Sequence, residues 1–120
     1  MPLVQVRFRL SRFSAEEEME LGKFLRTLPS VVAQALHVEE MKEAHLSAHD
    51  IEVWVNPTDI LDIQAVDVAI VVEANDYEPR RARLQKAAEC IIAMFPETLK
   101  VSGKTCSAWV RLAPGAYIES

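Results

Sequence analysis

Residues 3–10 read LVQVRFRL, and this alternation decides how the chain begins to fold. Val4, Val6 and Phe8 fall on one side of an extended segment, and the residues between them are polar or cationic. A period of two is typical of a strand with one buried face. The pattern therefore predicts a first β-strand over 3–10, directly preceded by Pro2.

The rest of the chain supplies two helices and three more strands. Ser14 and Glu17 form a capping-box pattern at the start of a helix whose apolar residues recur at helical spacing up to Leu36. Pro29 is expected to bend this helix or to force a restart near Thr27. The other predicted elements are a strand at 51–55 ended by Pro57, a strand at 66–73, a helix at 79–96 and a strand at 107–112. The order is therefore βαββαβ.

The chain, taken as a single domain over 1–120, contains an internal repeat at about 2–58 and 65–118. Each half opens on a V-x-V strand, passes through a helix and closes on a strand with a central tryptophan. The matching segments are VQV at 4–6 with VWV at 53–55, and VDV at 66–68 with AWV at 108–110. Because βαβ connections are right-handed almost without exception, the repeat predicts an α+β fold: a four-stranded sheet with both helices on one face.

The second face of such a sheet has no helical layer of its own. It carries apolar side chains, and a chain of 120 residues offers nothing further to cover them. We therefore expect a homo-oligomer. The ferredoxin-like fold has the same element order and is the alternative; it would favour a small-molecule-binding or assembly module without catalysis.

Composition restricts the classes of partner and the location. The formal net charge of -5 argues against nucleic acid as the main partner, because that role requires a clustered basic field. No apolar run approaches the roughly 18 residues of a membrane span, and no secretory signal pattern is present, so we expect a cytoplasmic location. Cys90 and Cys106 are predicted to be buried thiols. The 3 glycines cannot assemble a phosphate or dinucleotide loop, and no cofactor is predicted.

The run PLVQVRFRLSR at 2–12 resembles the start of the tautomerase superfamily, the group of 4-oxalocrotonate tautomerase, macrophage migration inhibitory factor (MIF) and malonate semialdehyde decarboxylase. Members begin with a proline at the head of the first strand and often carry an arginine just after it, here Arg12. The duplicated βαβ plan is similar to that of the longer members, whereas residues 38–65 carry no family signature. The resemblance implies a tautomerase/MIF-like fold, a trimer with inward-facing sheets and cofactor-independent catalysis.

Pro2 is the candidate catalytic residue. Removal of Met1 would leave Pro2 as a secondary amine whose lone pair can act as a base. Ordinary α-amino groups titrate at about 7.7 to 8.0 and a prolyl amine higher, so apolar burial or nearby cations must lower the pKa of this amine. Its candidate pocket walls are aromatic: Trp109, Trp54, Phe8 and Tyr117. The alternative is that Met-Pro is a beginning without function.

Arginines near the second helix are the candidate substrate clamp. Arg80 and Arg81 stand at a helix start, where acids are normally favoured, so a bound anion there would account for them. The resemblance implies the same place for a substrate carboxylate. The alternative is a solvated basic turn balanced by neighbouring acids. Arg111, on the last strand, is either an edge or interface charge or a residue that reaches a site near Pro2. The candidate substrate-binding residues are Arg80, Arg81, Arg12 and Trp109.

These patterns, with the resemblance, predict a tautomerase-like enzyme acting on a small 2-oxo or enol carboxylate. Pro2 would move the proton and arginine would hold the carboxylate; decarboxylation or dehalogenation are the alternatives that the resemblance leaves open. His45 and His49 stand four residues apart, but no third ligand is placed by spacing, so no metal site is predicted.

Overall fold

The computed structural model describes residues 2–58 and 63–114 of the chain. The strands are β1 (Leu3–Arg9), β2 (Glu52–Thr58), β3 (Val68–Asn75) and β4 (Cys106–Ala113). The helices are α1 (Ala15–Leu36), α2 (Glu78–Arg81), α3 (Leu84–Ala93) and α4 (Glu97–Val101), with short 3-10 segments at Leu10–Arg12, Lys42–Ala44 and Ala48–Asp50. None of these described helices is long and apolar enough to cross a membrane.

The four strands form one mixed sheet in the order β2-β1-β3-β4. β1 is parallel to β2 and β3 is parallel to β4, whereas the central strands β1 and β3 are antiparallel. The two strands of each βαβ unit are therefore direct neighbours. This arrangement confirms the predicted α+β fold, and it is incompatible with the ferredoxin-like alternative, in which the two units are interleaved.

Helix α1 begins as predicted but continues where an interruption was expected. The capping box is present: Ser14 Oγ accepts from the Glu17 amide, and the Glu17 carboxylate accepts from the Ser14 amide. The predicted restart near Thr27 is wrong, because α1 runs through Pro29 as one helix. Burial of the inner face offsets the backbone hydrogen bond that proline removes. The buried side chains of this face are Leu21, Phe24, Leu28, Val32 and Leu36.

Two other boundaries differ from the expectation. Pro57 does not end β2, which continues to Thr58 and pairs Pro57 with Phe8. The strand lies at the edge of the sheet, where a missing backbone donor can face away from the neighbouring strand. The single helix predicted over 79–96 is divided at 82–83 into α2 and α3.

The two faces of the sheet have different environments. On one face, alternate residues of the central strands pack beneath α1 and α3, with Val4, Val6, Ile70 and Val72 fully buried. The other face, called here the open face, carries both tryptophans, of which Trp54 is 50% and Trp109 is 67% exposed. The register places one row of residues across the open face: Trp54, Gln5, Val71 and Trp109.

Candidate active site around Pro2

Pro2 is buried at the amino-terminal end of the central strand β1. Its carbonyl accepts a hydrogen bond from the Glu52 amide at 3.3 Å, which joins it to the start of β2. The next residue, Leu3, pairs with Glu52 on one side and with Glu73 of β3 on the other. Two acidic residues therefore flank the strand position that follows Pro2.

Leu3 and its register partners on the other strands form a row across the sheet, and this row ends in an arginine. Glu73 pairs with Arg111 of β4, and the Arg111 guanidinium donates from Nη2 to Glu73 Oε1 at 3.0 Å. We call the four aligned residues the terminal row: Glu52, Leu3, Glu73 and Arg111. Adjacent strands lie about 4.8 Å apart, so the Arg111 backbone is about 10 Å from Leu3 and its side chain can reach toward Pro2. The Arg111 side chain is 54% exposed and is available to a ligand.

Arg80 occupies a different kind of site. It is 2% exposed, and its guanidinium donates to three carbonyls: Leu36 O at 2.9 Å, Asn75 O at 3.2 Å and Ala44 O at 3.4 Å. The Tyr77 ring lies 4.9 Å from the guanidinium carbon. Burial lowers the pKa of Arg80, although the guanidinium remains a donor at neutral pH. The predicted substrate clamp does not agree with this geometry, because the fold itself occupies the donors.

The arginines around α2 thus have a structural explanation that does not require an anion. Arg80 and Arg83 donate to the carbonyls of Leu36 and His37, which lie at the carboxyl end of α1, where cations are favourable. Arg81 makes a two-pronged ion pair with Asp76, at 2.8 and 3.1 Å, which lowers the pKa of that carboxyl. The alternative prediction, a solvated basic turn balanced by neighbouring acids, agrees with the exposed ion pair between Arg81 and Asp76.

Two other predicted site residues lie away from Pro2 in the protomer. Arg12 contacts Asp67 at 3.2 Å beyond the opposite end of β1, and a seven-residue strand spans about 20 Å. Phe8 also lies toward that end, where its ring packs edge-on against Phe13 at 5.8 Å.

Trp109 and Trp54 lie on the open face, one row along from the terminal row. The remaining candidate wall, Tyr117, falls outside the described residues. The register places Glu52, Glu73 and Arg111 in the row that follows Pro2; the sequence predicted Pro2 and allowed a place near it for Arg111.

The sequence spacing suggested a pair of His45 and His49, whereas in the structure His45 pairs with His37. His45 stacks on His37 with ring centroids 4.8 Å apart, and both contact Glu39. One ring nitrogen of each histidine and one carboxylate oxygen of Glu39 lie within 4.8 Å of one another, which is close enough for the three atoms to bind one metal ion. However, His37 Nδ1 accepts from the Leu46 amide at 2.9 Å, so the neutral ring carries its proton on Nε2, which donates to Glu39. This arrangement leaves no lone pair of His37 for a metal ion.

Both cysteines are free and half-buried, and the expectation that they are buried thiols holds only in part. Burial raises the pKa of Cys106 to about 12, so its thiol stays protonated at neutral pH. A reactive cysteine needs the opposite shift. The Cys106 thiol is therefore not a candidate nucleophile.

Solved structures share this fold at low sequence identity. 5-Carboxymethyl-2-hydroxymuconate delta-isomerase is 14% identical, with a TM-score of 0.60 over 100% of this chain and 86% of that one. MIF2 of Leishmania major is 12% identical, with a TM-score of 0.58 over 98% and 93%. A fused wild-type 4-OT asymmetric trimer is 11% identical, with a TM-score of 0.57 over 93% and 86%.

The sequence itself has no comparable match: no protein-family model matches it, and no curated protein is significantly similar to it. The structural likeness confirms the predicted tautomerase/MIF-like fold. Because one fold can carry many activities, the activity must be argued from the site.

Proposed function

We propose that this protein is a tautomerase-like enzyme that acts on a small 2-oxo or enol carboxylate, with the amine of Pro2 as the proton carrier after Met1 is removed. One observation carries the proposal: a buried proline heads a central strand at the end of the sheet where the strand register also places the exposed guanidinium of Arg111. The shared fold with an isomerase and a 4-OT supports it.

The proposed chemistry moves one proton and needs no redox partner. The neutral amine takes the hydroxyl proton of the enol, and the ammonium returns a proton to the neighbouring carbon as the carbonyl forms. Burial of Pro2 favours the neutral amine because it disfavours the ammonium ion. The pairing of Glu73 with Arg111 offsets a carboxylate that would otherwise stabilise the ammonium.

Arg111 replaces Arg80 as the proposed carboxylate ligand. Its guanidinium is charged at all relevant pH values and can form two parallel hydrogen bonds with a carboxylate. Among the described residues, the Arg111 guanidinium makes one hydrogen bond, to Glu73. A substrate carboxylate can therefore bind the exposed edge of the guanidinium. In that position the cation also stabilises negative charge on the developing enolate oxygen.

The role of Arg111 is tested by its replacement with alanine. We expect Arg111→Ala to raise the KM for phenylenolpyruvate at least about tenfold, since a hydrogen bond to a charged group contributes about 1.5 to 3 kcal/mol. Arg26→Ala is the control, because Arg26 is exposed on α1, on the opposite side of the sheet. A KM that is equal in both variants would exclude Arg111 from the site.

The proposal includes a homo-oligomer, and a trimer by analogy with the 4-OT asymmetric trimer. Its support is the open face, where two large aromatic side chains are at least half exposed in the protomer. Large aromatic side chains that are exposed on a protein surface are enriched at interaction sites. A second copy covering this face would also remove water from the terminal row at its edge.

A charge on the open face should therefore dissociate the assembly. We expect wild type to sediment at about three protomer masses and Trp109→Glu to sediment as a monomer, because a carboxylate would be buried without a partner. Met19→Glu is the matched control, since Met19 is 65% exposed on α1 against 67% for Trp109. Wild type that sediments as a monomer at micromolar concentration would contradict the proposed interface.

A further inference from the structure

We infer that the Pro2 site prefers an enol or 2-oxo acid with a single carboxylate over one with two carboxylates. The inference rests on the proposed function of Pro2. It concerns the charge of the terminal row, which follows Pro2 at the same end of the sheet and can discriminate between two substrates that undergo the same proton transfer.

The terminal row has more negative than positive groups. Within the protomer, Glu52 and Glu73 contribute two carboxylates and Arg111 one guanidinium, so the net formal charge of the row is -1. The two acids are the register partners of Leu3, so each lies about 4.8 Å from the strand that Pro2 heads. Pro2 acting as a base is neutral and adds no positive charge. One substrate carboxylate can therefore pair with Arg111, whereas a second would face Glu52 or Glu73.

The arginines around α2 do not change this balance. Arg80 is buried on three carbonyls, Arg83 donates to His37 O, and Arg81 is held by both oxygens of Asp76. The neighbouring row of the open face, from Trp54 to Trp109, is uncharged. Residues 59–62 and 115–120 contain no lysine or arginine in their sequence, so neither segment can supply a cation.

Water exclusion would strengthen the discrimination. The neighbouring row of the protomer carries Trp54, Val71 and Trp109, and these apolar side chains lower the effective dielectric constant beside the terminal row. Two like charges a few Å apart then repel more strongly than in water. An uncharged tail carries no such penalty, so the geometry favours a monocarboxylate with a neutral or apolar substituent.

The test compares two enols on the full-length protein at low ionic strength: phenylenolpyruvate, a monoanion, and 2-hydroxymuconate, a dianion. We expect kcat/KM to be at least about tenfold higher for the monoanion, and added salt to reduce the ratio. Because the two substrates also differ in shape, the change of the ratio on mutation is the decisive measurement. Glu52→Gln and Glu73→Gln should each lower the ratio at least about threefold by improving turnover of the dianion.

Glu16→Gln is the control, because Glu16 is an exposed acid in the first turn of α1 and should leave the ratio unchanged. Glu52 is exposed, so Glu52→Gln keeps the test valid if Glu73→Gln fails to fold. Preference for the dianion, or a ratio that neither substitution moves, overturns this inference and leaves the proposed enzyme standing. Failure to turn over either enol overturns the proposed function, and this inference with it.

Discussion

Replacing Arg80 with methionine is expected to lower the free energy of unfolding by about 3 kcal/mol, since each buried acceptor left without a donor costs about 1 to 3 kcal/mol. The guanidinium connects three segments of the fold through the carbonyls of Leu36, Ala44 and Asn75. Methionine fills part of the space but donates nothing. The measurement is urea unfolding, with variants compared at one protomer concentration because oligomers are stabilised by mass action.

Arg81→Met is the matched control. It removes the same side chain one residue later, where solvent screens the exposed ion pair with Asp76 and keeps its contribution to stability small. The account requires Arg80→Met to be the more destabilised of the two by about 2 kcal/mol or more. Equal stability of the two variants would show that the carbonyl contacts of Arg80 do not hold the fold together.

The second large effect concerns Pro2. Pro2→Leu places a bulky residue after Met1, so Met1 is retained and the free amine moves outward by one residue. We expect kcat for ketonisation to fall at least about 100-fold, the lower end of what a general acid–base group contributes. Pro2→Ala is the informative comparison, because its small side chain still permits removal of Met1 and leaves a primary amine in the same place.

Pro2→Ala should therefore lie between wild type and Pro2→Leu in kcat. Mass spectrometry of each protein establishes which first residue is present, and circular dichroism establishes that the fold is retained. Wild-type activity that survives in Pro2→Leu would remove the amine from the mechanism. If Pro2→Leu loses both activity and the fold, Pro2→Ala is compared with wild type alone, and an unchanged kcat would show that the secondary amine of proline is not required.

Local sequence patterns predicted the elements of this fold well, and tertiary contacts account for the differences. The alternation in β1 and the Ser14 capping box act over a few residues, so they are visible in the sequence. Pro29 and Pro57 also act locally, but helix burial and an edge-strand position accommodated them. A proline marks an interruption only when packing does not oppose it.

The candidate site was only partly predictable because it depends on register between strands. Arg80 looked like an anion ligand by its place in α2, yet its partner Leu36 lies 44 residues away at the end of another helix. Glu73 and Arg111 meet only because β3 and β4 pair in one particular register. The alternation of side chains along β2 does place Glu52 on the same face as Trp54. That pattern in the sequence could have indicated that an acid belongs to the terminal row.

The most direct test of the central claim is a ¹⁵N NMR titration of the native protein labelled with ¹⁵N-proline. We expect Pro2 to give an amine signal that titrates with a pKa below the ordinary value of a prolyl amine, and this pKa to match the rising limb of kcat/KM against pH. A Pro2 nitrogen that remains an amide and does not titrate in an active protein would contradict it.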